Sequence, residues 1–117
     1  MTARRCAIYV RTASEGQVKA RGLAGQEQDC CQYAEERGYV VAVTFGDAGC
    51  SGLDARRPGL LALRDAVRRR SVSGVVCTDA DRLSRDSKQL AELLVEAENA
   101  GCAVEFVSGR TPPDGWH

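Results

Sequence analysis

Four short, nearly unbroken apolar runs recur along the chain: CAIYVR at 6–11, YVVAVTF at 39–45, GVVCT at 74–78 and AVEFV at 103–107. They are too short for buried helices and rich in β-branched and aromatic side chains, so they predict strands. Apolar and polar residues do not alternate in them, which implies cover on both faces. Each gap carries a helical pattern. Cys30, Cys31 and Ala34 follow Leu23 at helical spacing, with a stop at Gly38. Pro58 opens a second helix through Leu60, Leu63 and Val67, closing on Arg68, Arg69 and Arg70. Leu90, Leu93, Leu94 and Ala97 mark a third helix that ends at Gly101. This alternation predicts an α/β fold: a predominantly parallel four-stranded sheet with helices on both faces. Cys6, Ile8, Val10, Val75, Val76, Val104 and Phe106 are its expected core.

A chain of 117 residues is expected to be one domain, able to bury roughly 65% of its unfolded surface. Residues 1–108 form that domain, and 109–117, GRTPPDGWH, read as a tail. No run of eighteen apolar residues and no charged-then-apolar leader occurs, so no membrane is expected and the cytoplasm is the expected compartment. Sixteen basic and sixteen acidic side chains cancel, so charge does not imply tight nucleic-acid binding. Fourteen of the cations are arginine, however, which forks onto phosphates and carboxylates. Cys6 and Cys77 lie in strand runs, Cys30 and Cys31 are adjacent, and no C-x-x-C occurs. Reduced, mostly buried thiols are therefore expected, with Cys50 in a glycine-rich loop the most exposed. The single histidine is His117. Neither a metal nor a cofactor is expected.

In parallel sheets, ligands gather beyond the C-terminal ends of the strands. Those ends hold Arg11, then Asp47, then Asp79, Asp81 and Arg82. In TDADRLSRDS at 78–87, Arg82 and Arg85 share one face if a helical turn starts there. Asp81 could orient Arg82 or hold a proton, and Asp86 or Ser87 could cap the helix that follows. A solvated, charged helix start would carry the same residues. Arginine is unfavourable at the positive end of a helix dipole, which favours a use for the pair. GDAGCSGLDARRPGL at 46–60 lacks the Gly-Lys-Ser/Thr of a Walker loop and is not a G-x-S-x-G elbow. It is either a mobile loop or a lid that delivers Arg57.

Together these stretches resemble the catalytic domain of the serine recombinases, the resolvase/invertase family. Tyr9, Arg11 and Gln17 match its Tyr-x-Arg-Val-Ser-Thr-x-x-Gln opening, and Gln26 matches the glutamine that opens its first helix. Asp47, Gly49, Ser51, Gly52, Arg57 and Pro58 fit its Asp-x-Gly-x-Ser-Gly loop and the Asp-Arg-Pro that ends it. Asp81, Arg82, Leu83 and Arg85 reproduce Asp-Arg-Leu-x-Arg. The resemblance implies attack by a serine hydroxyl on a DNA phosphodiester, through a 5′-phosphoserine link and without metal or ATP. It implies that Arg11, Arg57, Arg82 and Arg85 clamp the phosphate, while Asp81, Gln17 and Gln26 orient groups or shuttle protons. The nucleophile position falls on Ala13, and Ser14 is the nearest hydroxyl. Family members continue into a dimerising helix and a DNA-binding module, and this sequence stops at His117 with neither. The expected activity is recombinase-like phosphoryl transfer with cleavage lost at Ala13. The alternative is a catalytically silent interaction or regulatory subunit pairing with a complete recombinase. Expected partners are DNA, bound weakly by the chain alone, and recombinase subunits in a homo- or hetero-oligomer. Arg11, Arg82 and Arg85 should converge with Asp81 beside them. Arg57 should stand apart, on a loop loosened by Gly46, Gly49 and Gly52.

Overall fold

The computed structural model describes residues 4–12, 22–51, 54 and 56–108. Its elements are β1 (Arg4–Arg11), α1 (Leu23–Glu36), β2 (Tyr39–Asp47), α2 (Pro58–Arg68), β3 (Gly74–Cys77), α3 (Ala80–Leu83), α4 (Ser87–Asn99) and β4 (Ala103–Phe106). All pairings are parallel and the strand order is β2-β1-β3-β4.

Each face of the sheet follows from side-chain alternation in β1. Cys6, Ile8 and Val10 point to one side and pack with Cys30 and Ala34 of α1, Tyr39 and Val76. Ala7 and Tyr9 point to the other and pack with Leu60, Leu63 and Val67 of α2 and Leu90, Leu93 and Ala97 of α4. The expected core residues lie within these clusters, and Val104 is partly buried against the second. Pro58 occupies the first turn of α2, where its missing N–H costs nothing. Asp86 caps α4, its carboxylate accepting from the Lys88 N–H at 3.0 Å. Among the described residues no helix is long and apolar enough to cross a membrane.

The strand order positions the site. From β1 the chain crosses to one neighbour, β2, and it later returns on β1's other side as β3. The connections thus diverge between β1 and β3. Their C-terminal ends flank the crevice where a ligand has room to enter. Arg11 ends β1, and the turn α3 follows β3.

Candidate functional site

Arg11 is fixed first through its backbone. Its N–H donates to Gln26 Oε1 at 3.0 Å, and Gln26 Nε2 donates back to its carbonyl at 2.8 Å. The buried amide of α1 thus completes the hydrogen bonding of β1 as another strand would. Both ends of the amide are engaged, so Gln26 orients Arg11. One residue on, the Thr12 N–H donates to the Asp47 carbonyl at 3.1 Å, and the Cys50 N–H donates to the Thr12 carbonyl at 2.9 Å. These bonds hold the glycine-rich loop against the exit of β1.

The Arg11 guanidinium turns inward and is 2% exposed. Nε donates to the Arg82 carbonyl at 3.1 Å, Nη1 to the Cys50 carbonyl at 3.0 Å and Nη2 to the Asp81 carbonyl at 2.6 Å. Arg82 Nη1 returns a bond to the Arg11 carbonyl at 3.1 Å. Arg57 differs from expectation. It is wholly buried, with Nε on the Asp54 carbonyl at 2.7 Å, Nη1 on the Tyr9 hydroxyl at 2.9 Å and Nη2 on the Leu83 carbonyl at 2.7 Å. A guanidinium with this many fixed acceptors pins the loop that the glycines alone would leave loose.

Asp47 is the hub beneath them. Its carboxylate accepts from the Tyr9 hydroxyl at 2.6 Å and from the N–H groups of Gly59 at 2.7 Å and Leu60 at 2.9 Å. It therefore satisfies two open donors at the start of α2 from a neighbouring strand. A Cβ at Gly59 would lie 2.6 Å from the Gly46 carbonyl oxygen and 2.8 Å from Asp47 Oδ2, so only glycine permits this approach. Burial and the bond to Asp47 push the Tyr9 hydroxyl far above its ordinary pKa, with Arg57 and Arg11 opposing. It remains a neutral donor.

Arg82 and Arg85 do not share a helical face. The Asp79 carboxylate caps the turn by accepting from the Arg82 N–H at 3.2 Å, and the turn ends at Ser84, which is extended. Arg82 is half-buried beside Arg11, whereas Arg85 and Asp81 are exposed. Asp81 holds Arg11 through its carbonyl. Among the described residues no carboxylate forms an ion pair with Arg11, Arg57 or Arg82. Burial lowers the Arg11 pKa, and repulsion from Arg57, Arg82 and Arg85 adds to that, with Tyr9 opposing. Positive charge thus collects at the crevice of a protein whose net charge is zero. Such a site attracts an anion, with Arg82 and Arg85 nearest solvent. Ala13, Ser14 and Gln17 lie outside the described residues.

The roles of Asp47 and Tyr9 as supports escape a reading by motif. The signal for Asp47 is a carboxylate at the end of an apolar run with a helix start a dozen residues on. Cys50 is half-buried, as is Cys31, while the other four thiols are buried.

Residues 6–115 match the family described as Resolvase, N terminal domain. The chain belongs to the serine recombinase (resolvase) family. A protein of Bacillus subtilis (strain 168) named "Putative DNA recombinase" is 36% identical over 106 residues, covering 88% of this chain. The chain spans only 20% of that relative's length. The C-terminal catalytic domain of ISC1926 TnpA, an IS607-like serine recombinase, superposes with a TM-score of 0.81 at 34% identity, covering 94% of this chain and 71% of that one. The N-terminal catalytic domain of TP901-1 integrase does so with a TM-score of 0.83 at 25% identity, covering 89% and 78%. The all-parallel sheet of this resolvase domain is the architecture of those catalytic domains.

Proposed function

We propose that this resolvase domain holds a DNA phosphate at the β1–β3 crevice and does not cleave it. The observation that carries this reading is the convergence of Arg11, Arg57 and Arg82, without a paired carboxylate among the described residues, two residues before Ala13. In phosphoryl transfer, charge on the non-bridging oxygens of the transition state is the main target for stabilisation. Arg82 and Arg85 supply donors from the solvent side. Arg11 and Arg57, fixed by carbonyls, add charge from beneath. Gln26, Asp47 and Tyr9 are positioning residues. The methyl of Ala13 cannot attack phosphorus, and loss of a nucleophile removes on the order of 10⁶ in rate. An anion site kept without its nucleophile also suits a silent subunit that pairs with a complete recombinase.

The test is incubation with nicked DNA duplexes followed by denaturing gels. No covalent adduct is expected. An adduct that disappears in Ser14→Ala would show that the hydroxyl had moved by one residue, and the reading would fail. Binding is tested by salt titration of a short duplex. The expected dissociation constant is roughly 10⁻⁴ M or weaker at physiological salt, weaker again in Arg82→Ala. Nanomolar, sequence-specific binding would overturn this part.

A further inference from the structure

Arg85 is an exposed cation of the crevice, and it belongs to neither neighbouring helix. α3 ends at Leu83 and α4 begins at Ser87, so residues 84–86 form a joint between them. Burial lowers the Arg11 pKa most, and the charges of Arg57, Arg82 and Arg85 follow, so Arg85 acts on the crevice although it reaches solvent. A long side chain at such a joint has much freedom to lose on binding, and a fixed backbone beneath it limits that loss. One hydroxyl supplies the fixing. Ser84 is extended and 2% exposed. Its Oγ accepts from the Asp86 N–H at 3.1 Å, closing a turn with Arg85 at its centre. The same hydroxyl donates to Gln89 Oε1 at 2.7 Å, and Gln89 is buried in the first turn of α4. The Asp86 carbonyl, at 3.2 Å from Oγ, is taken by the Leu90 N–H at 2.8 Å, which leaves the Ser84 proton for Gln89. On the other side the Ser84 N–H donates to the Ala80 carbonyl at 3.0 Å. A single buried oxygen therefore ties α3 to α4, and Arg85 is carried on that tie.

We infer, on the reading of the crevice as a phosphate site, that Ser84 and Gln89 are positioning residues that aim Arg85 at the bound anion. The plainer role for the pair would be to close the N-terminal end of α4. Asp86 already does that, its carboxylate accepting from the Lys88 N–H. Nor does Arg82 need the pair. The Asp79 carboxylate holds its N–H, and its guanidinium donates to the Arg11 carbonyl. The α3 turn itself is gripped from beneath, since Arg11 and Arg57 donate to the carbonyls of Asp81, Arg82 and Leu83. What the hydroxyl adds is the course of the chain through Arg85. It extends a framework built on two buried guanidinium groups to the one at the solvent side. Alanine at position 84 keeps the extended backbone, but it leaves the Asp86 N–H and Gln89 Oε1 without their shared partner.

Fluorescence anisotropy of a labelled short duplex, titrated at low salt where phosphate contacts are strongest, tests this. Arg85→Gln is expected to weaken binding about tenfold, as loss of a charged hydrogen bond does. It should also reduce the slope of log K against log salt by about 0.9, the value of one phosphate contact. Ser84→Ala should weaken binding about fivefold and move the slope in the same direction, an effect that loosened packing alone would not produce. Gln89→Ala, at a helix position where alanine is favourable, should do the same. Urea denaturation of each variant establishes that it is folded under the assay conditions. The deciding comparison uses double variants. Ser84→Ala added to Arg85→Gln should bind within about twofold of Arg85→Gln alone, because the hydroxyl acts through Arg85. Added to Arg82→Ala, it should cost its full factor of about five. Equal costs in the two backgrounds would reveal a general structural role and overturn the inference. So would Ser84→Ala and Gln89→Ala variants that bind as the parent does while Arg85→Gln is weakened. If Arg82→Ala and Arg85→Gln themselves bind as the parent does, the phosphate reading of the crevice fails and takes the role of Ser84 with it.

Discussion

The molecule contains the same three-group relay twice, at opposite ends and on opposite faces of its sheet. At the C-terminal end, Arg57 donates to the Tyr9 hydroxyl, which donates to Asp47. At the N-terminal end, Arg4 donates to the Tyr39 hydroxyl at 2.6 Å, which donates to Glu105 at 2.8 Å. In both, the guanidinium also lies over the ring, at 5.7 Å for Arg57 and 4.3 Å for Arg4. Their surroundings differ. Glu105 also accepts from the Tyr33 hydroxyl at 2.9 Å and from Arg37 Nε at 3.0 Å, and Arg4 is exposed. The Tyr39 ring crosses from β2 over β1 to reach β4, and a Cβ at Gly74 on β3 would lie 2.6 Å from it. That relay is a clamp across the whole sheet, and its carboxylate is ion-paired directly with Arg37. The Tyr9 relay sits under Arg11 and Arg82, which form no ion pair with a carboxylate among the described residues. The directly paired carboxylate ties strands together, whereas the guanidinium groups without one gather at the crevice.

The sharpest break of this comparison is Asp47→Ala. Removing a buried carboxylate leaves the Tyr9 hydroxyl and two N–H groups of α2 without an acceptor and Arg57 without its indirect counter-charge. The expected loss of stability is about 3–5 kcal/mol by urea denaturation. A loss below about 1 kcal/mol would mean that Asp47 is not the support of the site.

Glu105→Gln probes the other relay through pH. Burial raises the Glu105 pKa, but the bonds from Tyr39 and Tyr33 and the charge of Arg37 outweigh it, leaving the group below its ordinary 4.5. A depressed carboxylate contributes stability above its unfolded pKa and loses it as pH falls through the folded one. The parent should therefore exceed Glu105→Gln by about 1.5 kcal/mol at neutral pH. The gap should narrow as pH falls below about 5 and close once pH drops through the depressed folded pKa. A gap independent of pH would show that packing, and not the charge, matters at Glu105.

Much of this was legible in the residues. Nearly unbroken apolar runs located every strand, although only the central β1 and β3 are buried on both faces and the edge strands β2 and β4 are partly exposed. The motif arginines fell at strand ends, where the parallel order concentrates them. Arg57 misled, because glycines nearby describe the freedom of the backbone, while its acceptors on Leu83 and Tyr9 are tens of residues away. The shared face expected for Arg82 and Arg85 failed on Ser84, whose extended backbone ends the turn. Glu105 carries a signal of the same kind. A carboxylate inside AVEFV must find partners wherever the sheet buries it.

The smallest effect separates the relays at their shared residue type. Tyr9→Phe and Tyr39→Phe each delete one hydroxyl and keep the ring, so neither opens a cavity. At Tyr9 the loss strands a wholly buried Arg57 nitrogen, whose other acceptor, the Arg82 carbonyl, is distant at 3.4 Å. Asp47 keeps its bonds to α2 but loses its shortest partner. At Tyr39 the exposed Arg4 can turn to water, and Glu105 retains Tyr33 and Arg37. Tyr9→Phe is thus expected to cost about 2 kcal/mol and Tyr39→Phe about 1 kcal/mol or less, measured side by side in urea. Only Tyr9→Phe should also weaken DNA binding, since Arg57 bonds the turn that carries Arg82. Equal costs, with DNA binding unchanged in both, would mean that the two relays do the same structural work and that the Tyr9 relay does not support the anion site.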